Sequence, residues 1–205
     1  SFEPEGESRP IRAPQVLIVK TSSMGDVVHA LPLASDIRRR HPQASIDWLV
    51  EGRHLGIVEL VTILDRAVTL EGRSLAAWAD VIRRCRRVSY DVALDLQGLM
   101  KSAVLARASG AARVIGFSIW HLREKTARPF YSETPSERSD GSHVIRKNLR
   151  LLRTLGVTDD RIVFPLADVR ATVPLSVISN PRAPEIRPLM TRSSPGARLL
   201  TDTWV

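Results

Sequence analysis

The sequence predicts an α/β fold built on a doubly wound parallel sheet. Short, β-branched apolar runs alternate along the chain with segments in which apolar residues recur at helical spacing. This alternation is typical of right-handed crossovers between parallel strands. The runs are apolar at consecutive positions, which indicates strands that helices cover on both faces of the sheet.

The first predicted strand shows the pattern on which the others are assigned. Residues 15–20 read Gln-Val-Leu-Ile-Val-Lys, a mostly apolar run that leads into a loop of Ser and Gly. Later runs of similar character lie between the helical segments. The predicted strands cover residues 15–20, 45–50, 66–70, 90–96 and 113–117.

The segments between these strands are predicted to be helices. In the first helix Val28, Leu31 and Ala34 recur at helical spacing, and Pro32 within its first two turns is unfavourable. The predicted helices cover residues 27–40, 54–60, 75–88, 103–109 and 143–155, the last of them ended by Gly156. The polar stretch 118–141 is too long for a simple connector, so we expect it to hold function or to be mobile.

Composition divides the chain into three parts. Residues 1–14 are polar, carry three prolines and lack the apolar core of a signal peptide, so we expect a disordered leader and a cytoplasmic protein. Residues 15–170 form the predicted Rossmann-like domain. Residues 171–205 carry five prolines and lose all periodicity, which indicates a linker or the truncated start of a second domain. No apolar run approaches the roughly 20 residues of a membrane-spanning helix.

The charge balance favours an anionic partner. Thirty Lys and Arg face 22 Asp and Glu, a net charge of +8, which suits nucleic acid, a phosphorylated lipid surface or a phosphorylated small molecule. Aromatic residues make up only 5%, and no nucleic-acid motif is present, so we expect no nucleic-acid partner. The single cysteine, Cys85, excludes an internal disulfide and a cysteine-based metal cluster; we interpret it as a half-buried helix residue.

Two loops are the candidate ligand-binding elements. Doubly wound sheets bind ligands beyond the carboxyl ends of their strands where the strand order reverses, here between the first and fourth strands. Residues 21–26 and 97–102 follow those strands. Free backbone N–H groups and hydroxyls in the first loop can hold an anion, and Gly25 permits close approach. The loop matches neither a Walker motif nor a dinucleotide fingerprint.

Two side chains in these loops have alternative interpretations. Asp26 is either the N-cap of the following helix or a carboxylate that accepts a proton from an attacking hydroxyl. The positive end of that helix would lower the pKa of the carboxyl and weaken it as a base. Lys101 is either a solvated side chain or a ligand-binding cation at the end of the fourth strand.

At these loops the chain resembles the lipopolysaccharide heptosyltransferase family, glycosyltransferase family 9, and its heptosyltransferase I branch in particular. The resemblance rests on Lys-Thr-Ser-Ser-Met-Gly-Asp at residues 20–26 and Asp-Leu-Gln-Gly-Leu-Met-Lys-Ser at residues 95–102, and it extends over residues 16–165. It implies a two-domain GT-B enzyme that transfers heptose, with inversion, from ADP-heptose to the Kdo sugar of the lipopolysaccharide inner core. It also implies no metal and no cofactor.

The resemblance carries over to individual residues. It makes Asp26 the general base, and it places Arg123 near the anionic groups of the acceptor. The acceptor-binding residues that it implies are Ser22, Ser23, Gly25, Gln97, Gly98, Lys101, Ser102 and Arg123. Only residues 71–74 stand where this branch tends to have a longer basic insertion, which leaves the acceptor sugar open.

The resemblance also implies partners and a location. Kdo-lipid A as acceptor lies in the cytoplasmic leaflet, so we expect the basic protein to dock on the inner face of the cytoplasmic membrane. The donor-binding domain is expected after the linker, about where the given chain stops. Without donor contacts, we expect the chain as given not to transfer sugar. The alternative is a freestanding Rossmann-like module that binds a phosphorylated ligand without catalysis.

Overall fold

The computed structural model describes residues 13–136, 143–157 and 161–166, all within a compact unit that spans Ser1–Val169. Its strands are β1 (Gln15–Val19), β2 (Ser45–Glu51), β3 (Arg66–Leu70), β4 (Val92–Asp95) and β5 (Arg113–Ile115). They form one parallel sheet in the order β3-β2-β1-β4-β5. The predicted doubly wound sheet is thereby confirmed, whereas the predicted leader, apart from residues 13–14, and the proline-rich segment 171–205 lie outside the described residues.

Helices cover both faces of this sheet. They are α1 (Met24–Val28), α2 (Leu31–Arg40), α3 (Leu55–Glu59), α4 (Leu75–Arg86), α5 (Met100–Ala108) and α6 (Val144–Arg150), with 3₁₀ turns at Gly52–His54, Lys125–Phe130 and Leu151–Leu155. Alternate residues of β1 point to opposite faces of the sheet. Ile18 lies in the first core, with residues of α2 and α6, and Leu17 lies in the second core, with residues of α4 and α5. This two-sided burial explains why the strand is continuously apolar. Cys85 is a helix residue, as predicted, but it is fully buried in the second core rather than half-buried, and burial raises its pKa to about 11.

The predicted first helix, residues 27–40, is wrong as a single element. The chain forms two helices there, because α1 ends at Val28 and α2 begins at Leu31. Pro32 occupies the second position of α2, where its missing N–H costs no intrahelical hydrogen bond. The proline that was unfavourable inside one long helix is well placed at the start of a second one.

The ends of β4 and β5 also differ from the prediction. Strand β4 ends at Asp95 rather than at residue 96, since the Asp95 side chain accepts the Gln97 N–H at 2.8 Å and starts a turn. Helix α5 then begins at Met100, three positions before the predicted start at 103. Strand β5 ends at Ile115 because the Gly116 N–H donates to the Glu133 carbonyl.

The polar stretch after β5 is described by the structure up to residue 136. Its 3₁₀ turn, Lys125–Phe130, packs on α5. Tyr131, directly after the turn, is buried in the second core and reaches Asp95 at the end of β4. This part of the chain therefore braces the loop that follows β4.

Candidate functional site

The two candidate loops begin side by side. Strands β1 and β4 are hydrogen-bonded parallel neighbours, with Val16 opposite Val92 and Val19 opposite Asp95. Their carboxyl ends therefore reach the same edge of the sheet, at the position where the strand order reverses. The predicted adjacency of the first and fourth strands is confirmed.

Asp26 is the third residue of α1, not its N-cap. Ser23 is the N-cap, and its backbone N–H and its hydroxyl both donate to Asp26 Oδ2 at 3.4 Å. The side chain thus folds back over the start of the helix, as a capping-box acid does. With 19% of its side chain exposed, Asp26 remains accessible from solvent.

Two cations also face the same carboxylate oxygen. Lys20 Nζ lies 3.8 Å from Asp26 Oδ2, and Arg123 Nη2 lies 3.3 Å from it. Lys20 is 3% exposed and donates a hydrogen bond to the Leu96 carbonyl at 2.9 Å. Arg123 is 56% exposed. Lys20 is therefore buried at the edge of the sheet, whereas Arg123 contacts Asp26 from the surface.

These neighbours determine the charge of Asp26. Burial on its own would raise the pKa of the carboxyl, but Lys20, Arg123 and the Ser23 N–H together hold the pKa below its ordinary value. Burial lowers the pKa of Lys20, and the attraction of Asp26 offsets part of that effect. Asp26 is consequently an anion near neutral pH, available to accept a proton.

The second loop is held by a buried carboxylate. Asp95 Oδ1 accepts the N–H groups of Gln97 and Gly98, at 2.8 Å and 3.4 Å. Asp95 Oδ2 accepts the Ser102 hydroxyl at 2.9 Å and the Tyr131 hydroxyl at 2.6 Å. Burial raises the pKa of Asp95, while these four donors act in the opposite direction. The network fixes the path of the chain between β4 and α5.

A groove of about 430 Å³ opens between the two loops. Thr21 and Ser22 line it from the first loop, and Gln97 and Lys101 line it from the second. Gln97 is only 4% exposed, and within the described residues its buried Oε1 has no hydrogen-bond partner. An unpaired buried oxygen beside a groove is an unused acceptor for a ligand hydroxyl.

The sequence profile of glycosyltransferase family 9 (heptosyltransferase) matches residues 78–182. The chain belongs to this family. Lipopolysaccharide heptosyltransferase 1 of Pseudomonas aeruginosa is 35% identical over 130 residues, which cover 57% of this chain and 36% of the relative. The corresponding Escherichia coli protein is 34% identical over 128 residues, covering 58% of this chain and 40% of the relative.

Solved structures agree with the family assignment. The E. coli heptosyltransferase WaaC with ADP superposes with a TM-score of 0.63 and 29% identity, over 70% of this chain and 48% of that one. E. coli ADP-heptose lps heptosyltransferase II gives a TM-score of 0.65 at 17% identity, over 80% of this chain and 50% of that one, which shows a shared fold. The family 9 chain thus spans about half the length of these structures.

The structure separates the predicted site residues of this family 9 chain into two groups. Ser22, Gln97, Lys101 and Ser102 line the groove, and within that group Ser102 is buried with its hydroxyl bonded to Asp95. A second group consists of Ser23, Asp26 and Arg123, in which Ser23 and Arg123 both donate to Asp26, and these three do not line the groove.

The two predicted glycines differ in what surrounds them. Gly98 adopts a left-handed φ of 69°, and a Cβ there would lie 3.3 Å from the Phe117 ring. Its carbonyl accepts the Glu124 N–H at 3.1 Å, which ties the second loop to the Arg123 segment. A Cβ on Gly25 would meet nothing within 4 Å, so the space before this residue is open to a ligand.

Sequence reasoning assigned no role to Lys20 or Asp95. Each is a charged residue that ends an apolar, doubly covered strand, and each is almost completely buried. A buried charge at a strand's carboxyl end is the signal that could have identified them, because such a charge requires partners. Within the described part of the chain, no group of three or more His, Cys, Asp and Glu side chains could hold a metal ion.

No helix among the described residues has the length and apolar character needed to span a membrane.

Proposed function

We propose that this family 9 chain is the acceptor-side domain of a heptosyltransferase, with Asp26 as its general base. The observation that carries the proposal is the position of Asp26, a partly exposed carboxylate at the edge where β1 and β4 end, held anionic by Lys20 and Arg123. The relatives named above are lipopolysaccharide heptosyltransferases, and one solved neighbour is bound to an ADP-heptose analogue. The proposed reaction transfers heptose from ADP-heptose to a Kdo sugar of the lipopolysaccharide inner core.

The proposed step is a single displacement. The acceptor hydroxyl oxygen forms a bond to the anomeric carbon of heptose, while the bond from that carbon to the ADP phosphate oxygen breaks. The electron pair leaves with ADP, and the hydroxyl proton passes to Asp26. Attack on the face opposite the leaving group inverts the anomeric centre. A carboxylate with a lowered pKa serves here because the hydroxyl becomes acidic as its oxygen bonds to carbon.

The surroundings of Asp26 suit a sugar acid as acceptor. Arg123, which contacts Asp26, and Lys101, which lines the groove, are exposed cations that can pair with the Kdo carboxylate or a nearby phosphate. In the groove, Ser22 and the unpaired Gln97 oxygen offer hydrogen bonds to sugar hydroxyls, and the exposed Ser23 hydroxyl offers another beside Asp26. In this proposal Gly25 leaves room at the loop, while Gly98 and Ser102 hold the second loop in position. The net charge of +8 favours docking on an anionic membrane surface.

The alternative, a module that binds a phosphorylated ligand without catalysis, has less support. Phosphate binding at this edge would use free N–H groups at helix N-termini. At α1 the Ser23 N–H already donates to Asp26, and at α5 the Met100 N–H donates to Glu124 Oε2 at 2.7 Å. Both helix starts therefore carry a carboxylate, which repels a phosphate.

Binding of Kdo to the purified chain tests the acceptor role. We expect Kdo to perturb the NMR signals of Ser22, Gln97 and Arg123, and neutral mannose to bind more weakly. Arg123→Gln should weaken Kdo binding by about tenfold or more, since a charge-assisted hydrogen bond is lost. The matched control is Arg107→Gln, an exposed residue in the last turn of α5. Inorganic phosphate or ADP binding tightly in the absence of Kdo binding would favour the alternative module.

Transfer tests the role of Asp26. In a protein that carries both GT-B halves, made by joining this chain at residue 170 to the second half of the P. aeruginosa relative, ADP release reports turnover. Asp26→Asn should lower kcat by about 10²–10⁴-fold, the usual contribution of a general base, with little change in the KM for the acceptor. If the kcat of Asp26→Asn lay within a few-fold of that of the unmodified protein, Asp26 would not be the general base.

A further inference from the structure

The two cations beside Asp26 differ in how firmly they are held. Lys20 is 3% exposed, and its Nζ is fixed by a hydrogen bond to the Leu96 carbonyl in addition to the ion pair with Asp26. The Arg123 side chain is 56% exposed, and within the described residues its guanidinium makes one hydrogen bond, to Asp26 Oδ2 at 3.3 Å. That contact is long for a charge-assisted hydrogen bond, whose usual length is about 2.7–2.9 Å.

The backbone of Arg123 is anchored although its side chain is loosely held. Its neighbour Glu124 donates its N–H to the Gly98 carbonyl and accepts the Met100 N–H through its carboxylate. A Cβ on Gly98 would lie 3.6 Å from the backbone nitrogen of Arg123, so the two segments are in close contact. The Arg123 guanidinium can therefore move away from Asp26 while the backbone of Arg123 stays in place.

We propose that Arg123 is an exchangeable partner of Asp26: a carboxylate of the acceptor draws its guanidinium off Oδ2, while Lys20 stays in place. This inference rests on the proposed function and adds to it a positioning role that depends on the charge of the acceptor. A sugar acid competes for the guanidinium, whereas a neutral sugar does not.

The exchange couples acceptor binding to the basicity of Asp26. In the free chain, the charged and polar groups that face Asp26 are Lys20 from the end of β1, Ser23 from the start of α1 and Arg123 from the loop after β5. The charge of Asp95, at the end of β4, acts to raise the pKa of Lys20. Removal of Arg123 leaves one of the two cations, so the pKa of Asp26 rises when the acceptor is bound. Asp26 therefore becomes a stronger base only when the acceptor, whose hydroxyl carries the proton to be removed, is bound.

NMR titration of the Asp26 side-chain carboxyl carbon in the 205-residue chain tests this inference, with Kdo as the probe. We expect Arg123→Gln to shift the pKa of Asp26 upward without ligand, and saturating Kdo to shift it upward in the unmodified chain. Kdo should add little further shift in Arg123→Gln, where no guanidinium remains to exchange. Arg123→Lys should restore part of the response to Kdo, and the charge-matched control Arg107→Gln should leave the titration of Asp26 unchanged.

The outcomes separate this inference from the proposed function. If Kdo binds, as the Ser22 and Gln97 signals report, but the pKa of Asp26 stays the same or rises equally in Arg123→Gln, the exchange is wrong and the acceptor site stands. An unchanged pKa in ligand-free Arg123→Gln also overturns the exchange, because the ion pair is then absent in solution. An equal shift with saturating mannose contradicts the dependence on charge. Failure of Kdo to bind at all overturns both proposals.

Discussion

Asp26 links the site to the pH dependence of folding. Its pKa is lowered in the folded chain, so the folded state favours the ionised carboxylate more than the unfolded state does. The resulting stabilisation is complete above the unfolded pKa of about 4 and is lost as the pH falls through the lower folded value. We expect the stability difference between the chain and Asp26→Asn to be larger at pH about 7 than at pH about 3.

Urea unfolding at the two pH values measures this difference. Glu59→Gln, which removes an exposed carboxylate at the end of α3, is the matched control for loss of one surface charge. An Asp26→Asn effect that grows as the pH falls would contradict the assigned direction of the pKa shift.

Tyr131 and Tyr90 make similar hydrogen bonds with different consequences. Tyr131 donates to Asp95, whose other donors belong to the loop between β4 and α5. Tyr90 donates to Asp47, which also receives two hydrogen bonds from the Arg66 guanidinium. Burial is the main cause that raises the pKa of both phenols, so both stay protonated and act as donors.

We expect Tyr131→Phe to cost about 1–3 kcal/mol, because it leaves a fully buried carboxylate short of one donor. It should also shift the NMR signals of Gln97 and Gly98, whose N–H groups share Asp95. Tyr90→Phe should cost less and leave those signals in place, since Arg66 still neutralises Asp47. Equal effects of the two substitutions on the Gln97 signal would show that Asp95 does not hold this loop.

At the level of elements, Gly98 fixes the turn from β4 into α5. Gly98 and Gly156 both have left-handed φ values, 69° and 77°. Alanine at either position carries a conformational cost of about 1–2 kcal/mol. A Cβ on Gly98 would in addition press on the Phe117 ring at 3.3 Å, whereas one on Gly156 would meet nothing within 4 Å.

Gly98→Ala should therefore lower the free energy of unfolding more than Gly156→Ala does, as measured by urea denaturation. Only Gly98→Ala should weaken Kdo binding, because the Glu124 N–H bond to the Gly98 carbonyl joins this turn to the Arg123 segment. A smaller loss of stability in Gly98→Ala than in Gly156→Ala would mean that the contact with Phe117 relaxes without cost.

The strands were predictable because their signal is local. The run at residues 15–20 is buried on both faces, and its apolar character alone indicates a central position in the sheet. The start of α5 was not predictable, since Met100 is capped by Glu124, 24 residues further along the chain. For Lys20 the sequence signals a buried charge that needs partners, but it does not show that one of them is the Leu96 carbonyl, 76 residues away. Local patterns gave the elements, whereas these contacts depend on the completed sheet.

At the scale of the whole molecule, the sheet assembles one site from distant parts of the chain. Lys20 and Asp26 follow β1, Gln97 follows β4, and Arg123 follows β5. The order β3-β2-β1-β4-β5 brings these three connections to one edge, although they span about half of the sequence. The same sheet supplies both cores, and their buried residues within the described part of the chain run from Val16 to Val157.

This distribution predicts that residues 170–205 are dispensable for folding of the domain. A chain that ends at Val169 retains the whole unit in which the described residues lie, and we propose that it folds as an independent domain. Its urea midpoint should match that of the 205-residue chain, and Kdo should perturb the same signals.

A chain that ends at residue 136 is the control, because it lacks Leu149, Leu151 and Leu152 from the first core. Loss of one such buried leucine side chain costs about 2–5 kcal/mol, so this control should not fold cooperatively. A lower midpoint for the chain that ends at Val169 would place part of the folding energy in residues 170–205, and the proposed boundary near residue 170 would then be wrong.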